Sequence, residues 1–216
     1  MRGFFRSNIG LKVVMAVSGL LMVGYLLTHV AANMLVFAGP ALINKYSALL
    51  HSQPAFLWGA RAVLIVALFA HVSSAIVLIR RERAARPIAY GMRNPQVSTF
   101  ASRTIRWGGL LILFFLVWHI LQFTTGTVRP AAFIEGDPHG NVVRAFQVPW
   151  VVALYVVSMA AVGLHLFHGT WSAFRSLGLV KPSEHALRHK TSLVLAGLVW
   201  LGFTIIPLAI FAGVGR

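Results

Sequence analysis

The sequence predicts an all-α integral membrane bundle of five transmembrane helices, and three observations carry that prediction. Five runs, roughly 12–37, 56–79, 104–124, 149–171 and 191–211, are apolar over the 20 or so residues a helix needs to cross hydrocarbon. The composition, 58% hydrophobic and 11% charged with a mean hydropathy of +0.78, is that of a membrane protein and not of a soluble domain. The cations gather in alternate connections. Arg2, Arg6 and Lys12 precede the first run, and Arg80, Arg81, Arg83, Arg86, Arg93, Arg103 and Arg106 join the second to the third. Arg175, Lys181, Arg188 and Lys190 join the fourth to the fifth, whereas Lys45, Arg61, Arg129, Arg144 and Arg216 belong to the other side. Cytoplasmic connections carry the excess of Lys and Arg, so the N-terminus is expected inside and the C-terminus outside, in the cytoplasmic (inner) membrane of the cell.

Each element has its own reason. The first run carries no charge between Lys12 and Lys45. It is too long for the apolar core of a secretory signal and has no small-residue cleavage site after it, so it is read as a retained helix. After it, PALINKYSALLH (40–51) places Leu42, Tyr46, Leu49 and Leu50 on one face, behind Gly39 as cap and Pro40 in the first turn. That pattern predicts a short helix lying on the outer surface. The outer connection 125–147 shows Gly, Pro and Asp-Pro turn signals and no helical period. Pro207, late in the fifth run, is expected to bend or end that helix. No internal repeat divides the chain, and residues 1–216 are expected to form one membrane domain.

Composition also excludes functions. A net charge of +15 would point a soluble protein toward nucleic acid; here the charge is that of basic loops on one side of a membrane, and no nucleic-acid partner is expected. With no cysteine, disulfides, thiolate-held iron–sulfur clusters and covalently attached haem are ruled out within the chain. No nucleophile–base pair, phosphate loop or carboxylate dyad is present. Bond-making chemistry therefore has to belong to other chains.

What remains is histidine. The first four runs carry His29, His71, His119, and His165 with His168. Ionisable side chains inside a membrane are costly and mark function. Counted at about 1.5 Å per residue from Lys12 and Arg106, His29 and His119 lie roughly 20–25 Å from the inner face. Counted back from Arg80 and Arg175, His71 and His165 lie roughly 13–15 Å from it. Histidines bonded singly to neighbouring carbonyls have no reason to pair by depth. Two six-coordinate haems do: each needs two imidazoles from facing helices at one height. Ala67, Ser74 and Ala75 beside His71, and Ala161 and Gly169 beside His165, leave room for a flat macrocycle, although close helix packing uses small residues equally well. Non-covalent haem b is the form left open by the missing cysteines.

The stretches KVVMAVSGLLMVGYLLTHVAANMLVFAGPALINKYSALLH, FAHVSSAI, SRTIRWGGLLILFFLVWHILQF and GLHLFHGTWSAFRSLGL resemble the succinate dehydrogenase cytochrome b558 subunit family, the membrane anchor of succinate:quinone and fumarate:quinone oxidoreductases. The resemblance spans all five helices; THVAAN and HLFHGTWSAF are its most specific parts. It implies an outer haem b held by His29 and His119 and an inner haem b held by His71 and His165. His168 departs from relatives that carry Asn there. It lies three residues from His165 on nearly the same face, so a ligand swap stays open, with His165 preferred. The resemblance further implies a flavoprotein subunit and an iron–sulfur subunit docked on the cytoplasmic side. It also implies a role in the tricarboxylic acid cycle and in electron transport to a membrane quinone, with menaquinone expected.

Other polar residues carry weaker expectations. Ser18, Arg106 and Arg175, near inner helix ends, are candidate partners for haem propionates, or plain positive-inside anchors. Asn33, His51 and Gln122, near outer ends, are candidates for hydrogen bonds to quinone carbonyls, or interfacial anchors. An outer quinone site is preferred over an inner one because an outer haem without a nearby acceptor would have no evident use. His185 and His189 have the i, i+4 spacing of a metal pair but lie in a basic loop without a third ligand. Two alternatives are kept. The cytochrome b anchor of a hydrogenase or formate dehydrogenase would serve a partner outside the membrane, against the inward basic loops. A histidine-based proton channel or transporter would bind no pigment, and the lack of membrane-buried carboxylates disfavours it.

Overall fold

A computed structural model of the chain describes residues 2–85, 100–179 and 185–215. The order is α1 (Arg2–Arg6), α2 (Asn8–Asn33) continued by a 3-10 turn (Met34–Ala38), α3 (Pro40–His51), α4 (Pro54–Ala84), α5 (Phe100–His119) continued by a π turn (Ile120–Thr124), α6 (Pro138–Ala145), α7 (Pro149–Ser176) and α8 (His185–Phe211). Five of these helices, with their continuations, are long and apolar enough to cross a membrane. The connecting residues Arg86, Arg93 and Lys181, part of the basic loops read from the sequence, lie outside the described residues.

Local chemistry places the boundaries. Ser7 caps α2: its Oγ accepts the Gly10 N–H at 3.0 Å. Gly39 turns the chain into α3 at φ +93°, a conformation that favours glycine, and Pro40 fills the first turn. Leu42, Tyr46 and Leu49 of α3 are exposed while Ile43 is buried, so the apolar stripe read from the sequence faces away from the protein, as on a surface helix. One expectation needs correction and another is narrowed. The connection 125–147 is not irregular throughout: Asp137 accepts the Gly140 N–H at 2.9 Å and, with Pro138 at the first position, starts the two turns of α6. Pro207 does not end α8, which continues to Phe211 around a fully buried proline ring.

α7 is the spine. Its buried residues Val151, Val152, Tyr155, Ser158, Met159, Val162, Leu166, Thr170 and Ala173 recur at helical spacing along its whole length. It packs on α8, α5 and α2, and α2 packs in turn on α4 and α8. Small residues allow close approach: a Cβ on Gly202 of α8 would lie 2.4 Å from Val30 Cγ2 of α2, and one on Gly163 of α7 would lie 3.1 Å from Trp200 Cβ. The four histidine-bearing helices thus run α4–α2–α7–α5 around a bundle. Among the described residues, α4 and α5 share no extended backbone contact, and neither do the diagonals α2–α5 and α4–α7. Many of the remaining large apolar side chains, among them Phe69, Trp107, Phe114 and Val66, point outward, the surface a lipid-facing bundle presents.

Candidate functional site: two histidine pairs on crossing diagonals

The structure brings His29 of α2 to His119 of α5, with ring centres 6.0 Å apart, and His71 of α4 to His165 of α7, 6.2 Å apart. Each pair bridges one diagonal of the bundle, across a gap the backbones themselves do not close. The levels follow from two glycines. A Cβ on Gly19 of α2 would lie 3.2 Å from His71 Cε1, and one on Gly109 of α5 would lie 3.5 Å from His165 Cε1. Gly19 and Gly109 each precede the histidine of their own helix, His29 and His119, by ten residues. At 1.5 Å per residue, the two pairs are therefore separated by about 15 Å along the bundle.

At the pair expected nearer the inner face, called the inner pair below, His71 Nδ1 donates to the Met15 carbonyl at 3.0 Å, an oxygen that also accepts from Ser18 Oγ at 3.2 Å. A neutral imidazole that donates from Nδ1 keeps a bare lone pair on Nε2, the state in which it ligates a metal. His165 Nδ1 is buried and makes no hydrogen bond of normal geometry, with the Ile105 backbone as the polar group beside it. Ala67 and Ser74 are buried on the His71 face. A cavity of about 200 Å³ opens beside His165, walled by Ala101, Thr104, Gly108, Ala160 and Ala161 among others. The ring that meets His71 belongs to His165; His168 lies one turn further along α7.

The outer pair is built differently. Tyr25 stacks on His29 at 5.2 Å, and Phe203 of α8 lies 5.6 Å from it. Phe115, Phe123 and Tyr155 surround the His119 ring. His119 Nδ1 lies 3.3 Å from Tyr155 Oη, which lies 3.0 Å from Gln122 Oε1; Trp118 Nε1 donates to the same Oε1 at 2.8 Å. Tyr155, Trp118, Met15, Gly19 and Gly109 carry this geometry and were not singled out by sequence reasoning. The one available signal was the repeated ten-residue interval from glycine to histidine.

The remaining candidates lie as follows. Ser18 is buried and its hydroxyl donates to Val14 and Met15 carbonyls. Arg106 Nη2 pairs with Glu82 at 2.5 Å, tying the start of α5 to the end of α4. Arg175 is exposed in the last turn of α7. Asn33 Nδ2 donates to the His29 carbonyl at 2.7 Å and lies 3.4 Å from both nitrogens of that ring. Gln122 is buried, its oxygen engaged as above and its Nε2 without a partner. His51 is exposed at the end of α3, with Nδ1 2.8 Å from the Ser47 carbonyl. His189 packs edge-on against Phe167 and Trp171, and the His185 side chain lies outside the described residues.

The donor set narrows the chemistry. Among the described residues, no three His, Cys, Asp or Glu side chains group to hold a bare metal ion. Two facing imidazoles supply two ligands, the number that an iron already held in a planar macrocycle takes from protein. A metal–imidazole bond is about 2 Å long, so two rings bound to opposite faces of one metal have centres about 6 Å apart. The observed separations fit that span. The open diagonals, the glycine cradles and the bare His71 Nε2 fit a flat group held edgewise in the bundle. No family model, curated protein or solved structure matches this chain.

Proposed function

We propose that this chain is the dihaem cytochrome b membrane anchor of a succinate:quinone or fumarate:quinone oxidoreductase. The observation that carries the reading is the pair of histidine bridges on crossing diagonals, each with the 6 Å span of bis-imidazole ligation. His29 and His119 would hold the outer haem b, and His71 and His165 the inner one. Haem b so held supplies reversible one-electron transfer within the membrane.

The chain's own residues do the rest. His71 is oriented through Met15, and Gly19 and Gly109 let the inner imidazoles lie against bare helix backbone. Phe115 and Phe123 flank the His119 ring, and Phe203 flanks that of His29. The basic connections, including Arg80, Arg81, Arg83 and Arg103, would attract an acidic face of the iron–sulfur subunit, which carries the flavoprotein subunit with it. Quinone is placed at the outer end, near His51 and the Asn33 and Gln122 amides, with Ser18, Arg106 and Arg175 marking the rival inner location. No substrate chemistry takes place in this chain by itself.

A pyridine haemochrome assay on the purified chain should return two haem b per polypeptide; one or none overturns the reading. Mass spectrometry of proteins that co-purify should find a flavoprotein and an iron–sulfur protein. A reporter fused after Arg216 should be active on the outer side of the membrane. For the quinone, His51→Ala should slow turnover of a soluble quinone analogue by the intact complex while both haems stay bound. Loss in Ser18→Ala or Arg106→Ala instead moves the site to the inner face.

A further inference from the structure

Four side chains at the outer end form a chain of hydrogen bonds whose direction has one consistent solution. The indole N–H of Trp118 can only donate, so the Gln122 atom it meets at 2.8 Å has to be the amide oxygen. Turning the amide over would set two donors against each other. The buried Nε2 is left unpaired in this orientation, a cost that the two bonds to Oε1 have to outweigh. The same oxygen lies 3.0 Å from Tyr155 Oη. Two oxygens at that distance need a proton between them, and an amide oxygen has none to give. The phenol therefore donates to Gln122 and keeps a lone pair for His119 Nδ1, 3.3 Å away. That nitrogen has to carry the proton, which leaves Nε2 bare.

We propose that Trp118, Gln122 and Tyr155 are positioning residues that hold His119 in its Nδ1-protonated tautomer, with Nε2 free as a ligand. The inner histidine His71 reaches the same state through a backbone carbonyl, which no substitution of a side chain removes. At the outer site the function rests on three side chains. Tyr155 comes from α7, ten residues before His165, so the helix that supplies the inner ligand also orients the outer one. The π turn over 120–124 follows directly on His119 and contains Gln122; such turns recur at functional sites. An Nδ1–H bond raises the basicity of the ligating nitrogen and favours the oxidised metal.

The inference deepens the proposed function and rests on it for the metal alone; the tautomer is a property of the chain. The full-length chain, labelled with 15N-histidine and purified with whatever it binds, is measured by NMR under reducing conditions, where ferrous bis-imidazole haem is diamagnetic. His119 should show its proton on Nδ1, and Tyr155→Phe, which keeps the ring among Phe115, Phe123 and Phe146, should remove or mix that state. Gln122→Met should do the same through Tyr155 without touching His119. In a redox titration followed by visible absorbance, both variants should raise the potential of one of two components, the one lost in His119→Ala. Tyr155→Phe should have the larger effect, and Gln122→Met should add little to it. A wild-type His119 protonated on Nε2, or variants with unchanged tautomer and unchanged potentials, overturns the proposal. Absence of any haem spectrum retires the haem reading and leaves the tautomer measurement to decide this one.

Discussion

The two histidine pairs hold the same kind of ring at the same separation by opposite means. The inner pair is shaped by what is missing: Gly19 and Gly109 carry no side chain, the Met15 carbonyl is backbone, and Ala101, Gly108, Ala160 and Ala161 leave a cavity beside His165 among larger apolar residues. The outer pair is shaped by what is present: a phenol, an amide, an indole and a collar of aromatic rings. One site should therefore be sensitive to adding atoms and the other to removing them. A bundle that holds two imidazole pairs about 15 Å apart can lean on backbone at one level only if the helices approach closely there.

The largest effects test whether the pairs are separate at all. His29→Ala and His119→Ala should each abolish one spectral component, and His71→Ala and His165→Ala the other, with the second component intact in every case. Losses that cross the pairs would break the comparison at its root. His168→Ala should leave both components in place.

Next come variants that add atoms. Even a bare Cβ at Gly19 would lie 3.2 Å from His71 Cε1, tighter than an ordinary contact, so a branched side chain has to turn the ring. Gly19→Val and Gly109→Val should weaken retention of the inner group by 10-fold or more, the scale of effects seen when a ligand's support is disturbed. The outer group should be retained, as read from absorbance per chain during dilution into detergent. Equal loss from both sites would show that the glycines serve bundle packing in general.

How far the sequence could be read follows from which quantities are one-dimensional. Depth along a helix is linear in residue number, so the cations flanking each span placed His29 with His119 and His71 with His165. Rotation about a helix axis is not linear, and it decides which residue faces which. Tyr155, Gly19 and Gly109 stayed hidden for that reason. Gln122 read as a candidate for a quinone carbonyl, and Arg106 as a candidate for a haem propionate; the groups that meet them, Trp118, Tyr155 and Glu82, come from the next turn of the same helix or from other helices. The helix α6 was missed because eight residues behind an Asp-Pro turn look like a loop until Asp137 is seen to cap them.

The smallest expected effect lies outside both pairs and serves as their control. Asp137 accepts from the Gly140 N–H, from Arg144 at 3.1 Å and from Asn44 of α3 at 3.3 Å. These bonds, the Gly140 N–H first, hold its carboxyl below the usual carboxylate range. A lowered folded-state pKa means that its stabilisation is complete above about pH 4 and fades as pH falls through the lowered value. Asp137→Ala should cost about 1 kcal/mol in thermal unfolding at pH 7. The difference from wild type should shrink at pH 3, with both spectral components unchanged at pH 7.

The diagonals have a consequence for the order in which a ribosome delivers the parts. The partners of the outer bridge lie on α2 and α5, those of the inner bridge on α4 and α7, so neither can close between consecutive spans. His119 meets His29 once the third span is in the bilayer, but Tyr155 arrives on the fourth, together with His165. Insertion of α7 is thus the event that supplies both His165 and Tyr155, and only Phe203 of α8 remains to be added beside His29. A nascent chain stalled before it holds neither in finished form.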